Sequence, residues 1–521
     1  GDHLAAWSVC LTLDILALAL ATPVMIVLFR RGIWSAGIAA VFAAAALASA
    51  PWPHLALMLL NAAMAISLMV FASRTQLFGE LLQTFFAHPA LLMLVSFVIL
   101  IAVGSMLLTF PIASPSRAIS PIDAVFTATS ASCVTGLIVL DTPHDFTLFG
   151  QAVILGLIQV GGLNIMVLSA FAASILGRTL GLRGEYALGE VLDLRSVRSA
   201  YRLISFVVAT TVAVELLGAI PLCITFLRKG LPASSAIWSG VFHSVSAFCN
   251  AGFSLESDSL VSLQHNPLAL VVVAALITLG GLGFAVLAST WLRLRGHGKI
   301  GLAAQVRIVL VVSAALTVGG WLLYAVAEWH RTLGGLDVGS KIINALFQSV
   351  TCRTAGFNSV DLGSLHPVSA LVMMVLMTIG ASPGGTGGGI KTTTVLVLLS
   401  ALSAIASGRP RVIVMRRFIT LDTVFRSAAI AVVAVVVITI GAGALLASQQ
   451  QPFETLFFEV VSAFGTVGLS LGATAHLDSF GKVVIIVIML IGRIGPLSLV
   501  LLLGRKEESH LRYPEARIMV G

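Results

Sequence analysis

The chain has 521 residues, 58% of them hydrophobic and only 10% charged. Soluble domains carry roughly 25% charged residues, so the composition excludes a soluble domain and specifies an integral membrane protein. The net charge of +8 follows the positive-inside rule rather than forming a nucleic-acid patch. Eighteen Lys and Arg between Arg178 and Arg517 fall on one side, read as cytoplasmic; Arg117, Arg228, Lys229, Arg331 and Lys341 fall on the other. A β-barrel is excluded, because barrels alternate in segments of about ten residues. The five cysteines show neither pairing nor Cys-x-x-Cys spacing.

Residues 1–90 hold three apolar stretches, 8–29, 33–50 and 54–72, read as extra N-terminal membrane helices. With Arg30, Arg31 and Arg74 cytoplasmic, the N-terminus lies outside. A secretory signal is the alternative for the first stretch, but no basic segment precedes it. Residues 75–88 read as an interfacial helix.

From residue 91 one unit recurs: membrane helix, short pore helix, loop, membrane helix. The repeats cover 91–177, 203–293, 304–406 and 424–504, with a cytoplasmic tail at 505–521. Short helices are expected at 121–133, 235–248, 341–352 and 453–463, where Phe126, Phe242, Phe347 and Phe458 lie. Each leads into a filter string: Val134-Thr135-Gly136, Asn250-Ala251-Gly252, Thr354-Ala355-Gly356 and Thr466-Val467-Gly468. The glycines are 116, 104 and 112 residues apart, too long a period for a solenoid. Thr-Val-Gly is most of the potassium-filter sequence, whose backbone carbonyls replace an ion's hydration shell. The fold class expected is an all-α membrane protein with four tandem helix–pore-loop–helix repeats around a pseudo-fourfold pore. About three further N-terminal helices are added to it.

Each second helix carries a glycine cluster: Gly161-Gly162, Gly280-Gly281, Gly384-Gly385 and Gly492 with Gly495. They read either as close-packing positions or as parts of one structure below the filter. In the third repeat the cluster grows to Ser382-Pro383-Gly384-Gly385-Thr386-Gly387-Gly388-Gly389-Ile390-Lys391. Five glycines and a proline cannot stay helical, so an intramembrane loop is expected there, a gate if it lies under the filter. The string also resembles a phosphate loop with one residue inserted, but its flanks are membrane helices, and no nucleotide site is expected.

Arg493 lies inside an apolar run and must face water or a partner. It reads as a charge near the pore that tethers the loop, or as a structural anchor to backbone. Lys391 either joins the loop or snorkels to the cytoplasm. Arg353 is expected to point behind the filter. Cys133, Cys249 and Cys352 read as small packing residues rather than metal ligands. Asp141, Asp145, Glu256, Asp258 and Asp361 either concentrate cations at the mouth or are solvated loop charges. No Gly-x-Ser-x-Gly, Gly-x-Gly-Asp or His-Glu-x-x-His string occurs, and no enzymatic activity is expected.

The four filter strings, the segment around Ala381–Thr394 and the Arg493 helix together resemble the Trk/Ktr/HKT superfamily of potassium transporters, from about residue 91 onward. The ending from Tyr513 to Gly521 looks most like the Ktr membrane subunit. The resemblance implies potassium uptake across the plasma membrane through a homodimer with one pore per protomer. It implies a cytosolic, nucleotide-binding regulatory ring as partner, sodium as an activator, and no nucleotide on this chain. It assigns the gate to Ser382, Gly384, Gly385, Thr386, Gly387, Gly388, Gly389, Lys391 and Arg493. Gly136, where sodium-preferring members carry serine, implies potassium. Three N-terminal helices depart from both subfamilies and leave the subfamily open. The alternatives are a sodium- or proton-coupled potassium symporter with alternating access, and a membrane scaffold.

Overall fold

The computed structural model describes residues 89–115, 119–163, 197–294, 304–415 and 417–495. The three N-terminal stretches, the interfacial helix expected at 75–88 and the tail at 505–521 lie outside the described residues. What is described is mostly helical. Helix α1 spans Pro89–Leu108, α2 Pro121–Ser132, α3 Leu148–Gly162, α4 Val197–Arg228 and α5 Ala233–Cys249. Next come α6 Pro267–Leu282, α7 Phe284–Leu294, α8 Ala304–Glu328, α9 Val338–Thr351, α10 Pro367–Thr378 and α11 Thr392–Ala406. The last three are α12 Leu421–Ser448, α13 Phe453–Gly465 and α14 Ser479–Ile494.

Among the described residues, Ser205–Arg228, Val306–Glu328 and Leu421–Ser448 are long and apolar enough to cross a membrane. Their outward residues are uncovered: Leu217, Val326 and Ile440 are 68%, 83% and 67% exposed. In water such faces would collapse on one another; in lipid they cost nothing.

The short helices α2, α5, α9 and α13 are the opposite case. Phe126, Phe242, Phe347 and Phe458 on them are each at most 1% exposed. Their starts are written in the sequence. Ser120 caps α2, accepting from the Asp123 backbone at 3.2 Å with proline at the first turn. Asp337 caps α9 at 3.1 Å, and its hydrogen bonds from Ser340 hold the carboxyl below the usual range.

The packing order closes on itself. Helix α3 packs on α5, α6 on α9, α10 on α13, and α14 returns to α2. Each helix that follows a short helix thus leans on the next short helix in the chain. Lys482 of α14 and Asp123 of α2 seal the last contact at 2.6 Å.

Two features depart from the sequence reading. The second membrane helix expected in the repeat at 203–293 is broken into α6 and α7 at Gly283, whose φ of +91° is open to glycine and strained for other residues. A side chain there would also meet the Pro383 carbonyl oxygen at 2.6 Å. The all-helical expectation gains a small exception as well. Val412–Val414 and Arg417–Ile419 form an antiparallel hairpin that turns through Met415 at φ +45°.

Candidate functional site

The four glycine segments, distant in sequence, meet in one ring. A side-chain carbon added at Gly136 would strike the Ala251 carbonyl oxygen, and one at Gly252 would lie 2.7 Å from Ala355 O. At Gly356 it would strike Val467 O, and at Gly468 it would strike Thr135 O. First touches second, second third, third fourth, and fourth first. The twelve residues named from sequence, Val134 to Gly136, Asn250 to Gly252, Thr354 to Gly356 and Thr466 to Gly468, therefore surround a common axis.

Their backbone is unusual in the same way four times. Val134, Asn250, Thr354 and Thr466 have φ of 56°, 63°, 77° and 49°, and the glycines two residues on have φ between 71° and 95°. The residue between has negative φ in each segment. Alternating handedness turns successive carbonyls to one side, whereas an extended strand turns them to alternate sides. For β-branched valine and threonine this conformation costs about 1–3 kcal/mol each, the kind of strain that persists where function needs it.

The N–H groups are committed backwards. Thr135 N donates to Ser130 O at 2.8 Å, Ala251 N to Ser246 O at 2.7 Å, Ala355 N to Thr351 O at 3.0 Å and Val467 N to Ser462 O at 2.9 Å. The carbonyls are not committed. Among the described residues, none donates a hydrogen bond to any of the twelve carbonyl oxygens. Buried acceptors left without donors are rare in folded proteins, and here they are grouped where four short helices end. The negative ends of those helix dipoles face the same place. Such a site suits a cation.

Beneath the ring lies the glycine-rich connection between α10 and α11. Ile379 and Ile390 close its neck as an isolated parallel bridge, with Gly380 N donating to Ile390 O at 2.9 Å. The connection is moored on every side. Ser382 N and Thr386 N donate to Gly281 O and Gly280 O, both at 3.1 Å, and Phe284 N at the head of α7 donates to Gly384 O at 3.1 Å. Gly388 N donates to Thr466 Oγ1 at 2.9 Å. A side chain on Gly387 would strike Thr354 Oγ1. Arg493 donates one guanidinium nitrogen to Thr386 O and another to Gly161 O. Lys391 turns into the connection, its Nζ donating to Gly387 O at 2.7 Å. Ser382, Gly384, Gly385, Thr386, Gly387, Gly388, Gly389, Lys391 and Arg493 thus form one cluster with the inner ends of the third and fourth segments.

The glycine clusters have a common geometry too. Side chains on Gly161, Gly280 and Gly492 would strike Ser132 O, Phe248 O and Phe464 O, each four residues before a ring glycine. Glycine at these places lets a helix lie directly against the end of a short helix.

Other residues singled out from sequence fall elsewhere. Arg353 points behind the ring, donating to Ser313 O, Thr317 Oγ1 and Ser313 Oγ at 3.2–3.4 Å. Cys133, Cys249 and Cys352 are buried, free thiols, and among the described residues no group of three metal-ligating side chains exists. The acidic residues serve the loops: Glu256 pairs with Lys229 at 2.7 Å, Asp145 accepts from Asp141 N at 2.7 Å, and Asp361 accepts from Gly363 N at 2.9 Å.

Sequence reasoning missed the supporting hydroxyls. Ser130 Oγ and Ser462 Oγ accept from Gly136 N and Gly468 N at 3.1 and 3.0 Å, and Ser246 Oγ donates to Phe253 O at 2.8 Å. Thr351 stands in their place in the third segment. The signal was available: each lies four residues after Phe126, Phe242, Phe347 or Phe458.

This ring and the moored loop beneath it are the frame of a membrane cation-transport protein. The model of the family described as "TrkH: Cation transport protein" matches residues 59–511, and the chain belongs to that family. The match begins some thirty residues before the point at which the sequence resemblance starts. The chain is similar to Ktr system potassium uptake protein B of Bacillus subtilis (strain 168), 37% identical over 83% of this chain and 97% of the relative. It is 38% identical to the protein of the same name from Vibrio alginolyticus, over 82% of this chain and 94% of that one. The crystal structure of the potassium transporter TrkH from Vibrio parahaemolyticus shares the fold, with a TM-score of 0.63 at 19% identity, over 91% of this chain and 97% of the other. The chain is thus a multi-pass membrane protein of a transport family.

Proposed function

We propose that this chain takes up potassium through a filter formed by the four glycine segments, gated from below by the glycine-rich loop. In this reading the chain is four helix–pore-loop–helix repeats around a pseudo-fourfold axis, and the twelve ring carbonyls replace the hydration shell of K+. The observation that carries it is the closed ring of donor-free carbonyls at the ends of four short helices. The names of the relatives, potassium uptake proteins of Ktr systems, support potassium as the cargo. Gly136 is in keeping with potassium rather than sodium.

The gate comprises Ser382, Gly384 to Gly389, Lys391 and Arg493. Its moorings to Thr466 and Gly280–Gly281 support a closed position under the filter, and Arg493 adds positive charge in the path of a cation. We further propose that two copies assemble with one pore each, on a cytosolic nucleotide-binding ring, and that sodium stimulates flux. This chain itself binds no nucleotide. An alternating-access symporter lacks a supporting observation here, because its sites lie between inverted twofold repeats rather than in a fourfold ring.

The test is rubidium-86 uptake into liposomes holding the purified protein, with potassium, sodium and lithium as competitors. Uptake blocked by potassium and not by lithium is expected, and deletion of 381–389 should raise it. A folded deletion variant with unchanged uptake would remove the gate. Silence in both proteins would remove the pore.

A further inference from the structure

One buried acid is not used by the filter reading. Glu459 lies on α13, one residue after Phe458, and its side chain is fully buried. Its carboxylate gathers the strand that leaves the fourth segment. Oε1 accepts from Ser470 Oγ and from the backbone N–H of Leu471 and Ala473, both at 3.2 Å. Oε2 accepts from Thr474 Oγ1 at 2.5 Å. Ser470 Oγ in turn accepts from Gly472 N at 2.9 Å. These residues begin two positions after Gly468. Among the described residues no Lys, Arg or His pairs with Glu459.

The same register in the other short helices holds Thr127, His243 and Gln348, each one residue after its phenylalanine. His243 makes the corresponding contacts at the corresponding distance along the chain: its Nε2 meets Ser254 Oγ at 2.9 Å and accepts from Leu255 N at 3.4 Å. Thr127 Oγ1 and both polar atoms of the Gln348 amide have no partner. Only the fourth register is acidic. Two backbone N–H groups that can only donate converge on one oxygen, with two hydroxyls beside them. These hydrogen bonds favour the ionised carboxylate, which accepts and does not donate, against the cost of burying it.

We propose that Glu459 is a positioning and specificity-determining residue for cation selection. Its carboxylate fixes the outward strand of the fourth segment and places an uncompensated negative charge behind the ring, raising its affinity for a desolvated cation. The proposal rests on the reading of the ring as a potassium filter. A buried charge acts through low dielectric and is poorly screened by salt, so the effect persists at physiological ionic strength. It also makes the ring electrostatically unequal, with the deepest potential on the side of the fourth segment.

Glu459→Gln keeps the size of the side chain and an acceptor oxygen for Leu471 and Ala473, and removes the charge. In the liposome assay its KM for potassium should rise about tenfold and its discrimination against sodium should fall by a similar factor, as expected for one unit charge at short range in protein. The maximal rate should stay within about twofold, because a charge acting on occupancy moves KM first. Thr474→Val removes one hydroxyl and keeps the Ser470 hydroxyl and both backbone bonds that favour the ionised carboxylate, and its KM should stay near that of the unaltered protein. An E459Q protein with unaltered KM and discrimination overturns the proposal. So does a KM raised by Thr474→Val as far as the charge change is expected to raise it, whether or not E459Q reconstitutes. If the unaltered protein takes up cations without discrimination, the filter reading fails and this proposal with it. If it discriminates and E459Q does too, this proposal alone fails.

Discussion

The second and fourth segments leave the ring through a Ser-Leu pair, Ser254-Leu255 and Ser470-Leu471, and the first and third do not. Ile138-Val139 and Asn358-Ser359 stand there instead. Where the pair is present, a buried His or Glu one helix away holds it. Where it is absent, the strand is tied sideways. Asp141 accepts from Ser257 Oγ at 2.5 Å, and Asn358 N donates to Ser259 Oγ at 3.2 Å, so both lean on the loop of the second segment. Opposite pairs of the ring are thus supported differently although their backbones match. A fourfold main chain does not require fourfold side chains. It requires only that each strand find some anchor for its polar groups.

The sharpest way to break this comparison is to introduce the same side chain into a tied segment and an anchored one. Gly136→Ser and Gly468→Ser each put a Cβ against a carbonyl oxygen at positive φ. The first segment, whose outgoing strand is held only sideways, should yield, leaving uptake in place with discrimination against sodium weakened about tenfold. The fourth, fixed by Glu459, cannot yield, and uptake should fall about a hundredfold. Equal rubidium uptake and equal selectivity in the two variants would dissolve the distinction.

A smaller effect is expected at the anchors themselves. His243→Ala leaves Leu255 N unpaired and opens a cavity among Phe226, Phe242 and Phe357, which lie 5.1–6.5 Å from the imidazole ring. It should cost about 2–4 kcal/mol, read as a lowered unfolding midpoint in detergent. Thr127→Ala, at the same register, removes a hydroxyl that bonds to nothing and should cost about 1 kcal/mol or less. The smallest change sharpens the third segment. Gln348→Leu removes a buried amide without partners and should be neutral or stabilising by about 1 kcal/mol. A clear destabilisation in the same melting assay would show that the amide is satisfied, and that the third segment is anchored after all.

Much of this was legible in the chain. Ser120-Pro121 and Asp123 mark a helix start by local chemistry. The four glycine strings repeat at a nearly even spacing, and Gly384 to Gly389 cannot be helix, so all three announce themselves without tertiary knowledge. The structure brings these residues together around one axis and one loop. What stayed hidden depends on partners far away in sequence. Gly283 looked like one more glycine in an apolar run until the Pro383 carbonyl was placed against it. Gly161 needs Ser132 O, and Arg493 needs Thr386 O and Gly161 O, some 107 and 332 residues off. Ser130 and Ser462 are small polar residues inside buried helices, a pattern that hydrophobic periodicity treats as noise. Glu459 was invisible for the same reason: an acid beside Phe458 carries no local sign of the four donors waiting in 470–474.

A ring assembled from four identical chains repeats every substitution four times at equal distances from the axis. Covalent linkage lifts that constraint. Val134, Asn250, Thr354 and Thr466 occupy equivalent positions with different side chains, so one quadrant meets the glycine-rich loop through the Thr466 hydroxyl while its opposite carries an amide. A single codon change here tilts the electric field across the axis instead of deepening it evenly.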